Sequence, residues 1–411
     1  TIGSTLEVLA DRTLRLSGAF ADPVVVAGTL EASAGASLTL ENGLTLQSGG
    51  SVSLGSAGAV RYAAGTYAIT GGSLTTRDLQ IATSGTTNFT HSNGTAQATN
   101  LSIGTGADSV ATYDHTGGSL QVQSFRVGSP SGPGAASNVT GTYTLGGTGS
   151  LTASGVANIG LNGSSGSFVM TGGSASLFEV YIRSGGSLDI SGGTFSTTTR
   201  SLNVDGTGSV SLSGGTLNTS SSATASIAGS FTQTGGTHNS APINVSGSYD
   251  LSSGSLDVVG TAGLALSGTF TLEGSAGLST TKLTQTAGLF DHVASTHETG
   301  ILAVNGGTYR MAAGSLSIAS SWTLGSGGTF DFADGSGTVN VAASAAVNLS
   351  QGTILNAGSA TVNVLGSETF VVFPTGFDPQ AVFGTFSNEG TTYTVGTTLV
   401  VQNGRTIDLA G

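Results

Sequence analysis

The 411-residue sequence contains no cysteine and a single lysine, and only 8% of its residues are charged. Without cysteine it cannot form structural disulfides or thiolate-bound zinc and iron–sulfur sites. Nucleic acids and anionic lipid surfaces require clustered basic residues, whereas Lys282 and the arginines are scattered along the chain. No apolar run approaches the roughly 18 residues of a spanning helix. We therefore expect no nucleic-acid partner and no direct membrane insertion.

Glycine, by contrast, is abundant: 68 residues are glycine, and 37% of the chain is hydrophobic, enough to bury a core despite its small side chains. The 22 acidic residues outnumber the 10 basic ones, and the net charge of −12 favours solubility in salty medium. The chain starts at Thr1 without an initiator methionine, and no leader-like segment precedes the first strand-like run. We interpret this as a leader that was removed before the mature form or that lies outside this sequence. We therefore predict a secreted protein, extracellular or at the cell surface.

An internal repeat of about twenty residues is plain in the middle of the chain. Each unit begins with a small polar residue, an apolar or aromatic residue and two further positions, followed by a glycine-containing turn. Shorter strand-like stretches follow, such as Thr216–Asn218 and Ala225–Ile227. The units begin 20, 22, 21, 18 and 21 residues apart, at Ser167, Ser187, Ser209, Ser230, Ser248 and Thr269.

Three short strands separated by Gly, Ser and Asn turns are typical of one coil of a β-solenoid. Successive side chains of a strand alternate between lumen and solvent, so apolar residues point inward while Thr, Ser, Asn and Gln point outward and stack between coils. We therefore predict an all-β, right-handed parallel β-helix of about 20 coils, each of about 20 residues and three short strands. At about 4.8 Å per coil it extends roughly 90–100 Å.

Aromatic residues recur at the second position of the repeat. Apolar residues stand two positions further on, for example Met170 and Leu272, so both should face the lumen. We predict an inward ladder of rings about 4.8 Å apart rather than an outward platform for carbohydrate. The residues of this ladder are Tyr67, Phe168, Phe231, Tyr249 and Phe270.

The C-terminal part departs from the repeat, because Pro374 and Pro379 interrupt the strand period and phenylalanine is concentrated there. We predict that residues 1–366 form the solenoid and that residues 367–411 form a Phe-rich cap or docking segment continuous with it. The candidate assembly residues are five phenylalanines of this segment and two residues of the first strand-like run, namely Phe370, Phe373, Phe377, Phe383, Phe386, Leu6 and Val8.

Residues that carry chemistry are dispersed. Polysaccharide lyases and glycosidases built on this fold need paired carboxylates, or bound Ca²⁺ with a basic residue beside it, and no such cluster is visible. We therefore predict that the chain is not an enzyme. Asp205, Asp331 and Asp334 lie near glycine turns, where some solenoids hold Ca²⁺ between coils, so they are weak candidates for structural calcium. No other cofactor is expected.

Two histidine-containing stretches are interpreted without a metal. Residues 291–298 hold Asp291, His292, His297 and Glu298, but their spacing fits no helix-borne zinc motif, and we expect a solvent-exposed insertion loop. In the pair formed by Asp114 and His115 the two side chains should point to opposite faces of a strand, and we expect no site there.

The segments SGGTFSTTT, SLSGGTLNTS and FTQTGGTHN resemble the autotransporter-associated β-strand repeats and the passenger or haemagglutinin-like β-helices of bacterial surface proteins. The resemblance spans residues 36–360. It implies a secreted, right-handed parallel β-helix used as a stalk, adhesin or envelope layer. It transfers no functional residue, because that group shares no catalytic motif.

Both ends of the chain bear on function. The run that includes Leu6 and Val8 already alternates like a solenoid strand, and no amphipathic helix is predicted to cover it, so its edge is ready to pair with another copy. We predict an extracellular structural protein that polymerises head to tail with copies of itself into a filament, sheath or surface layer. The alternative is an adhesin or passenger stalk that binds a surface glycan, and a polysaccharide-cleaving enzyme ranks third.

Overall fold

The computed structural model describes residues 5–388 except 33–35, 55–57, 131–137, 162, 220–221, 334, 344, 365–369, 374–377 and 384. The chain divides into two compact units, Thr1–Ala241 (unit 1) and Pro242–Gly411 (unit 2). The described residues are nearly all β-structure in a parallel solenoid, which confirms the predicted fold class. The chain makes about 16 turns rather than about 20, because several coils are longer than expected, for example the 24 residues from Phe89 to Tyr113.

The strands of unit 1 are short at the start and longer in the middle, where single strands bend around a corner of the coil. They are β1 (Leu6–Val8), β2 (Thr13–Arg15), β3 (Gly18–Phe20), β4 (Val24–Val26), β5 (Thr29–Glu31), β6 (Ser37–Leu40), β7 (Gly43–Leu46), β8 (Ser51–Ser53), β9 (Ala59–Tyr62), β10 (Gly65–Ile69), β11 (Ser73–Ile81), β12 (Thr86–His91), β13 (Thr95–Ile103), β14 (Val110–His115), β15 (Ser119–Val127), β16 (Thr140–Leu145), β17 (Ser150–Ile159), β18 (Ser165–Ile182), β19 (Gly186–Thr197), β20 (Leu202–Val204), β21 (Ser209–Leu212), β22 (Thr216–Asn218), β23 (Ala225–Ile227) and β24 (Ser230–Ser240).

Unit 2 is built in the same way and includes one short helix near its end. Its elements are β25 (Ile243–Val245), β26 (Ser248–Val258), β27 (Leu264–Leu266), β28 (Thr269–Leu272), β29 (Gly277–Gln285), β30 (Leu289–His292), β31 (Thr296–Met311), β32 (Ser315–Asp331), β33 (Thr338–Val341), β34 (Ala346–Asn348), β35 (Thr353–Leu355), β36 (Thr361–Val364), β37 (Phe370–Val372), α1 (Pro379–Val382) and β38 (Thr385–Asn388).

Each coil contributes one strand to each of three parallel sheets. We name them sheets I, II and III in the order in which the chain passes through a coil, starting with β1, β2 and β3. In unit 1, β10, β12, β14 and β16 succeed one another in sheet I. Over the same coils β11, β13, β15 and β17 each run through sheet II, bend, and continue in sheet III. The bend creates a corner at which two outer faces meet.

Alternation of side chains fills the lumen with apolar residues, as the repeat predicts. The predicted aromatic ladder is confirmed, since all five of its rings are fully buried. In unit 2 the ring centroids of Tyr249 and Phe270 are 5.0 Å apart, and those of Phe270 and Phe290 are 4.9 Å apart. These distances match the spacing of neighbouring strands. The core of each coil is therefore one layer of side chains stacked on the next.

The outer faces carry ladders of uncharged polar side chains. The Asn239 amide donates to Asn218 Oδ1 at 2.9 Å in unit 1, and the Asn363 amide donates to Asn340 Oδ1 at 2.9 Å in unit 2. Each pair occupies one register position in neighbouring coils. Stacking of like polar side chains, expected from the sequence, thus adds hydrogen bonds between coils on the solvent side.

Glycine is required where the chain turns from sheet I into sheet II. Gly193 has a φ of +77°, and a Cβ atom placed on it would lie 2.6 Å from the carbonyl oxygen of Gly173 in the preceding coil. A side chain here therefore meets both a backbone conformation that disfavours it and a clash with main-chain atoms.

We expect Gly193→Ala to lower the free energy of unfolding by about 2–4 kcal/mol, because neither the backbone angle nor the neighbouring carbonyl can adjust cheaply. Denaturant titration followed by circular dichroism measures this. Gly206→Ala is the matched control, since Gly206 is exposed, has no positive φ, and a Cβ atom placed on it would have nothing within 4 Å. Equal stability of the two variants would contradict a steric role for the corner glycine.

Candidate functional site

The first coil of unit 1 has an edge that is paired with no described strand. β1, β2 and β3 pair in parallel with β4, β5 and β6, respectively, and no described strand pairs with their opposite side. An unpaired strand edge offers backbone donors and acceptors to which a further strand can add. We call this surface, formed by β1, β2 and β3, the first-coil edge.

Backbone hydrogen bonds show which groups point outward at this edge. The Leu6 N–H donates to the Pro23 carbonyl at 2.9 Å, and the Val8 carbonyl accepts from the Ala27 N–H at 2.8 Å. Because alternate residues of a strand direct their N–H and C=O groups to opposite sides, the backbone groups of Glu7 between them point away from β4. The Glu7 N–H is therefore directed toward the position that an incoming strand would take.

Apolar side chains under the first-coil edge are incompletely covered. Leu6, Leu14 and Phe20 occupy lumen positions but remain partly exposed, and Leu9 beside them is 62% exposed. Val8 is already buried, at 4% exposure. The register partners of the three partly exposed residues in the next coil are buried, and these partners are Val24, Leu30 and Leu40. Covering the edge would complete the burial of three core side chains.

Charged side chains line the same edge. Glu7 and Arg15 are exposed, and the Arg15 guanidinium lies 3.1 Å from the Glu31 carboxylate in the next coil. Such an exposed ion pair stabilises the fold little, because water and salt screen it. Charges on an edge do suppress indiscriminate strand pairing, so a partner must bring a complementary pattern.

The Phe-rich segment packs on the end of unit 2. Phe383, which directly follows α1, is 4% exposed, and its ring centroid lies 5.7 Å from that of Phe332 at 80°. Phe373 is partly exposed and lines a small apolar cavity together with Phe383 and Trp322. Phe383 therefore covers core residues of unit 2, as a cap does.

The remaining candidate phenylalanines are seen only in part. The backbones of Phe370 and Phe386 lie in β37 and β38, which pair with β34 and β36, respectively. Their side chains, and Phe377 as a whole, lie outside the described residues. The part of all five phenylalanines in assembly stays a prediction.

The calcium candidates have partners of other kinds. The Asp205 carboxylate accepts a hydrogen bond from the Arg183 guanidinium at 3.3 Å. Asp331 Oδ1 accepts from the Ala333 N–H at 2.8 Å and from the Asn356 amide at 2.9 Å, as in a turn held by an aspartate. Asp334 lies outside the described residues. Across the part of the chain that is described, no three His, Cys, Asp or Glu side chains are grouped so as to hold a metal ion.

The expected insertion loop over residues 291–298 is wrong. His292 ends strand β30 and His297 lies in β31, and both imidazoles are buried in the lumen, where each lies within hydrogen-bond distance of Tyr309 Oη, at 3.2 and 3.0 Å. Asp291 points outward and pairs with Arg310 at 2.8 Å. Strand alternation explains the outcome, because it separates each histidine from the neighbouring carboxylate.

All five histidines are in fact buried. His91 and His115 occupy one register position in successive coils, and their rings stack with centroids 4.4 Å apart and planes 4° apart. His91 Nδ1 lies 3.1 Å from Tyr113 Oη, and His115 Nδ1 lies 2.7 Å from Tyr143 Oη. Burial lowers the pKa of both histidines to about 4, and for His115 the neighbouring His91 adds to the effect.

The remaining ring nitrogens fix the tautomer. His91 Nε2 lies 3.4 Å from the Gly94 carbonyl and His115 Nε2 lies 3.3 Å from the Gly118 carbonyl. A carbonyl only accepts, so Nε2 carries the proton and Nδ1 accepts from the tyrosine hydroxyl. Gln233, at the same position of its coil, donates in the same way to the Gly236 carbonyl. From the sequence we did not predict that these polar side chains lie in the lumen. The repeat does indicate it, because it aligns NFTH and TYDH with SFVM and SVSL, which places each histidine at the position of an inward Met or Leu.

Comparison with known proteins gives no relative. No protein-family model, no curated protein and no solved structure matches this chain. Among the described residues, no helix is long and apolar enough to cross a membrane.

Proposed function

We propose that this chain is an extracellular structural protein whose copies join head to tail through the first-coil edge into a filament, sheath or surface layer. The first-coil edge carries the proposal: the outer sides of β1, β2 and β3 are paired with no described strand, and each strand contributes one partly exposed core residue. Strands added by another copy would satisfy the outward backbone groups and complete the burial. A contact between unlike surfaces does not close on itself, so repetition gives a polymer.

The positions of the histidines and the composition of the outer faces support a structural role over catalysis. Every histidine, the side chain best suited to acid–base chemistry near neutral pH, is enclosed in the lumen and out of reach of a substrate. The outer ladders consist of small polar side chains that stabilise coil stacking. The resemblance of the repeats to bacterial passenger and haemagglutinin-like β-helices adds to the proposal of a secreted surface protein, with the Phe-rich segment as the opposing face of the joint.

The first-coil edge is tested with a single proline. We expect Glu7→Pro to raise the protein concentration needed for assembly at least tenfold, because it removes an N–H that points away from β4 and its ring obstructs strand addition. The residue before it, Leu6, is already extended as proline requires. Analytical ultracentrifugation across a concentration series measures the change.

Glu7→Ala is the matched control, since it removes the same side chain and keeps the N–H, and it should assemble as the unchanged chain does. Circular dichroism confirms that both variants remain folded. If Glu7→Pro is folded and assembles at the same concentration as Glu7→Ala, strand addition at the first-coil edge is excluded.

A further inference from the structure

A shallow groove runs along unit 1 at the corner between sheets II and III. It crosses four successive coils, those of β11, β13, β15 and β17, and its volume is about 370 Å³. Its two walls are the exposed residues on either side of the bend, and the buried Ala98 and Val122 lie between them. One wall consists of Thr75, Gln97 and Gln121, and the other of Thr99, Gln123 and Ser154.

The walls are polar but uncharged. Gln97 and Gln121 are register partners, and their amide groups approach to 3.5 Å. A primary amide offers donors and acceptors together, which suits hydroxyl groups, since these also donate and accept. No lining residue is ionisable. Arg77, beside one end, is paired with Asp78 at 2.7 Å.

An aromatic side chain extends the second wall by one coil. Ala153, which precedes Ser154, is the register partner of Leu177, which precedes Phe178. The register shifts after this pair, so Phe178 lies at the same corner, opposite both Ser154 and Gly155. Its ring is partly exposed, although lumen packing buries almost every other aromatic side chain of unit 1.

Tyr181, in the same coil, is held in place on the adjoining face. Its hydroxyl donates to the Glu179 carboxylate at 2.9 Å, and the Arg183 guanidinium lies 4.0 Å from its ring centroid. Among the described aromatic residues of unit 1, only Phe178, Tyr181 and Phe20 of the first-coil edge retain partial exposure. Phe178 and Tyr181 therefore lie three residues apart in β18, and Phe178 is the one at the corner that carries the groove.

We propose that this corner groove binds an uncharged polysaccharide that lies along successive coils, with its hydroxyl groups bonded to the glutamine and threonine walls and one sugar ring packed on Phe178. Sugars present hydroxyl groups at their rims and C–H groups on their faces. The paired amides of Gln97 and Gln121 can bond the hydroxyl groups, and the exposed ring of Phe178 can pack against the C–H groups. Repetition of the walls from coil to coil matches a ligand that is itself a repeat.

Other ligands fit the groove less well. A peptide that binds as a strand needs an unpaired sheet edge, but β11, β13, β15 and β17 are paired with one another on both sides of the bend. An amphipathic helix needs an apolar surface, and nucleic acid or an acidic polysaccharide needs clustered basic residues. The groove walls provide neither.

Isothermal titration calorimetry of the Glu7→Pro chain tests the proposal without interference from assembly. The probes are neutral hexasaccharides of glucose, N-acetylglucosamine and xylose, with polygalacturonate and heparin as anionic counterparts. We expect at least one neutral probe to bind. The double variant Gln97→Ala/Gln121→Ala, and separately Phe178→Ala, should weaken that binding at least tenfold. Asn340→Ala/Asn363→Ala, which removes an outer amide ladder of unit 2, should change it less than twofold.

Three results would overturn the proposal: binding of none of the neutral probes, binding of the anionic probes alone, or equal affinity of the groove variants and the ladder control. Binding of an unrelated extended peptide in place of every sugar would instead assign the groove to a protein partner. All variants change exposed or partly exposed side chains, and circular dichroism verifies their folding. Failure here would leave assembly through the first-coil edge untouched.

Discussion

Lowering the pH from 6.5 to 4 should destabilise unit 1 strongly, because its buried histidines resist protonation. The pKa of His91 and of His115 is lowered from 6.5 to about 4, and that of His238 to about 3. At these three positions the unfolded chain therefore binds more protons than the folded chain throughout this interval, and their contribution to stability rises with pH. Since one pKa unit corresponds to about 1.4 kcal/mol, each of the first two histidines removes about 3 kcal/mol once the pH falls below 4.

The stacking of His91 on His115 adds to the loss of stability at low pH. Protonation of both rings would place two positive charges 4.4 Å apart in the lumen, where water cannot screen them. Above pH 6.5 both states are neutral at these positions, so stability there should be nearly independent of the histidines. Urea titrations at half-unit pH steps, followed by circular dichroism, give the profile.

His91→Gln/His115→Gln is the control that separates the histidines from the carboxylates. Glutamine already occupies the equivalent position at Gln233, where its amide bonds the carbonyl three residues later as the histidines do. The double variant should lose about 6 kcal/mol less than the unchanged chain between pH 6.5 and 4. Parallel pH profiles for the two proteins would show that other groups cause acid unfolding.

Phe270→Ala should lower the free energy of unfolding of unit 2 by about 3–5 kcal/mol. Its ring is fully buried between Tyr249 and Phe290, with centroids 5.0 and 4.9 Å away. Truncation removes contacts with the coils on both sides, and neither neighbour can move into the space without leaving its own layer. Denaturant unfolding monitored by the fluorescence of Trp322, the only tryptophan in the chain, measures the effect.

Phe270→Leu is the matched control. Leucine fills the same ladder position at Leu44 and Leu188 in unit 1, so this variant should lose no more than about 1.5 kcal/mol. A difference of less than about 1 kcal/mol between the alanine and leucine variants would mean that the coils relax around the cavity, and that stacked rings are not a principal source of stability.

The solenoid is predictable because its repeat indicates both the length of each strand and which of its side chains point into the lumen. Phe168, Phe231 and Phe270 stand at one position of their repeat units, and the structure buries all three. The predicted count of coils is too high because coils such as that between Phe89 and Tyr113 insert residues at corners without changing the ladder. The repeat length comes from the most regular units, and it does not predict how many residues the other coils have at their corners.

Polar lumen residues are the part of the core that composition does not predict. Composition places His292 and His297 at the surface, yet alternation with Phe290 and the repeat register place both inside. A polar side chain can occupy a lumen position when the adjacent coil supplies a partner, here the hydroxyl of Tyr309. Tyr309 lies 17 residues after His292 and 12 after His297, so it is recognised as their partner only when successive coils are aligned.

The candidate sites are predictable to different degrees. Leu6 marks the first-coil edge from sequence alone, but the outward direction of the Glu7 N–H depends on hydrogen bonds to the next coil. The groove is not predictable, because it arises where β11 to β17 bend, and the register shift between Val122 and Phe125 within that bend has no sequence signature. Phe178 can be assigned to the groove only from the pairing of β18 with β17, which places it at the corner next to Ser154 of the preceding coil.

Negative-stain electron microscopy of the purified chain across a dilution series tests head-to-tail assembly most directly. We predict fibres with a regular axial repeat that become shorter and rarer on dilution, and their absence from the Glu7→Pro variant at the same concentrations. Isolated particles of the unchanged chain at every concentration would contradict head-to-tail assembly. That result would favour the adhesin alternative and leave the corner groove as the functional surface.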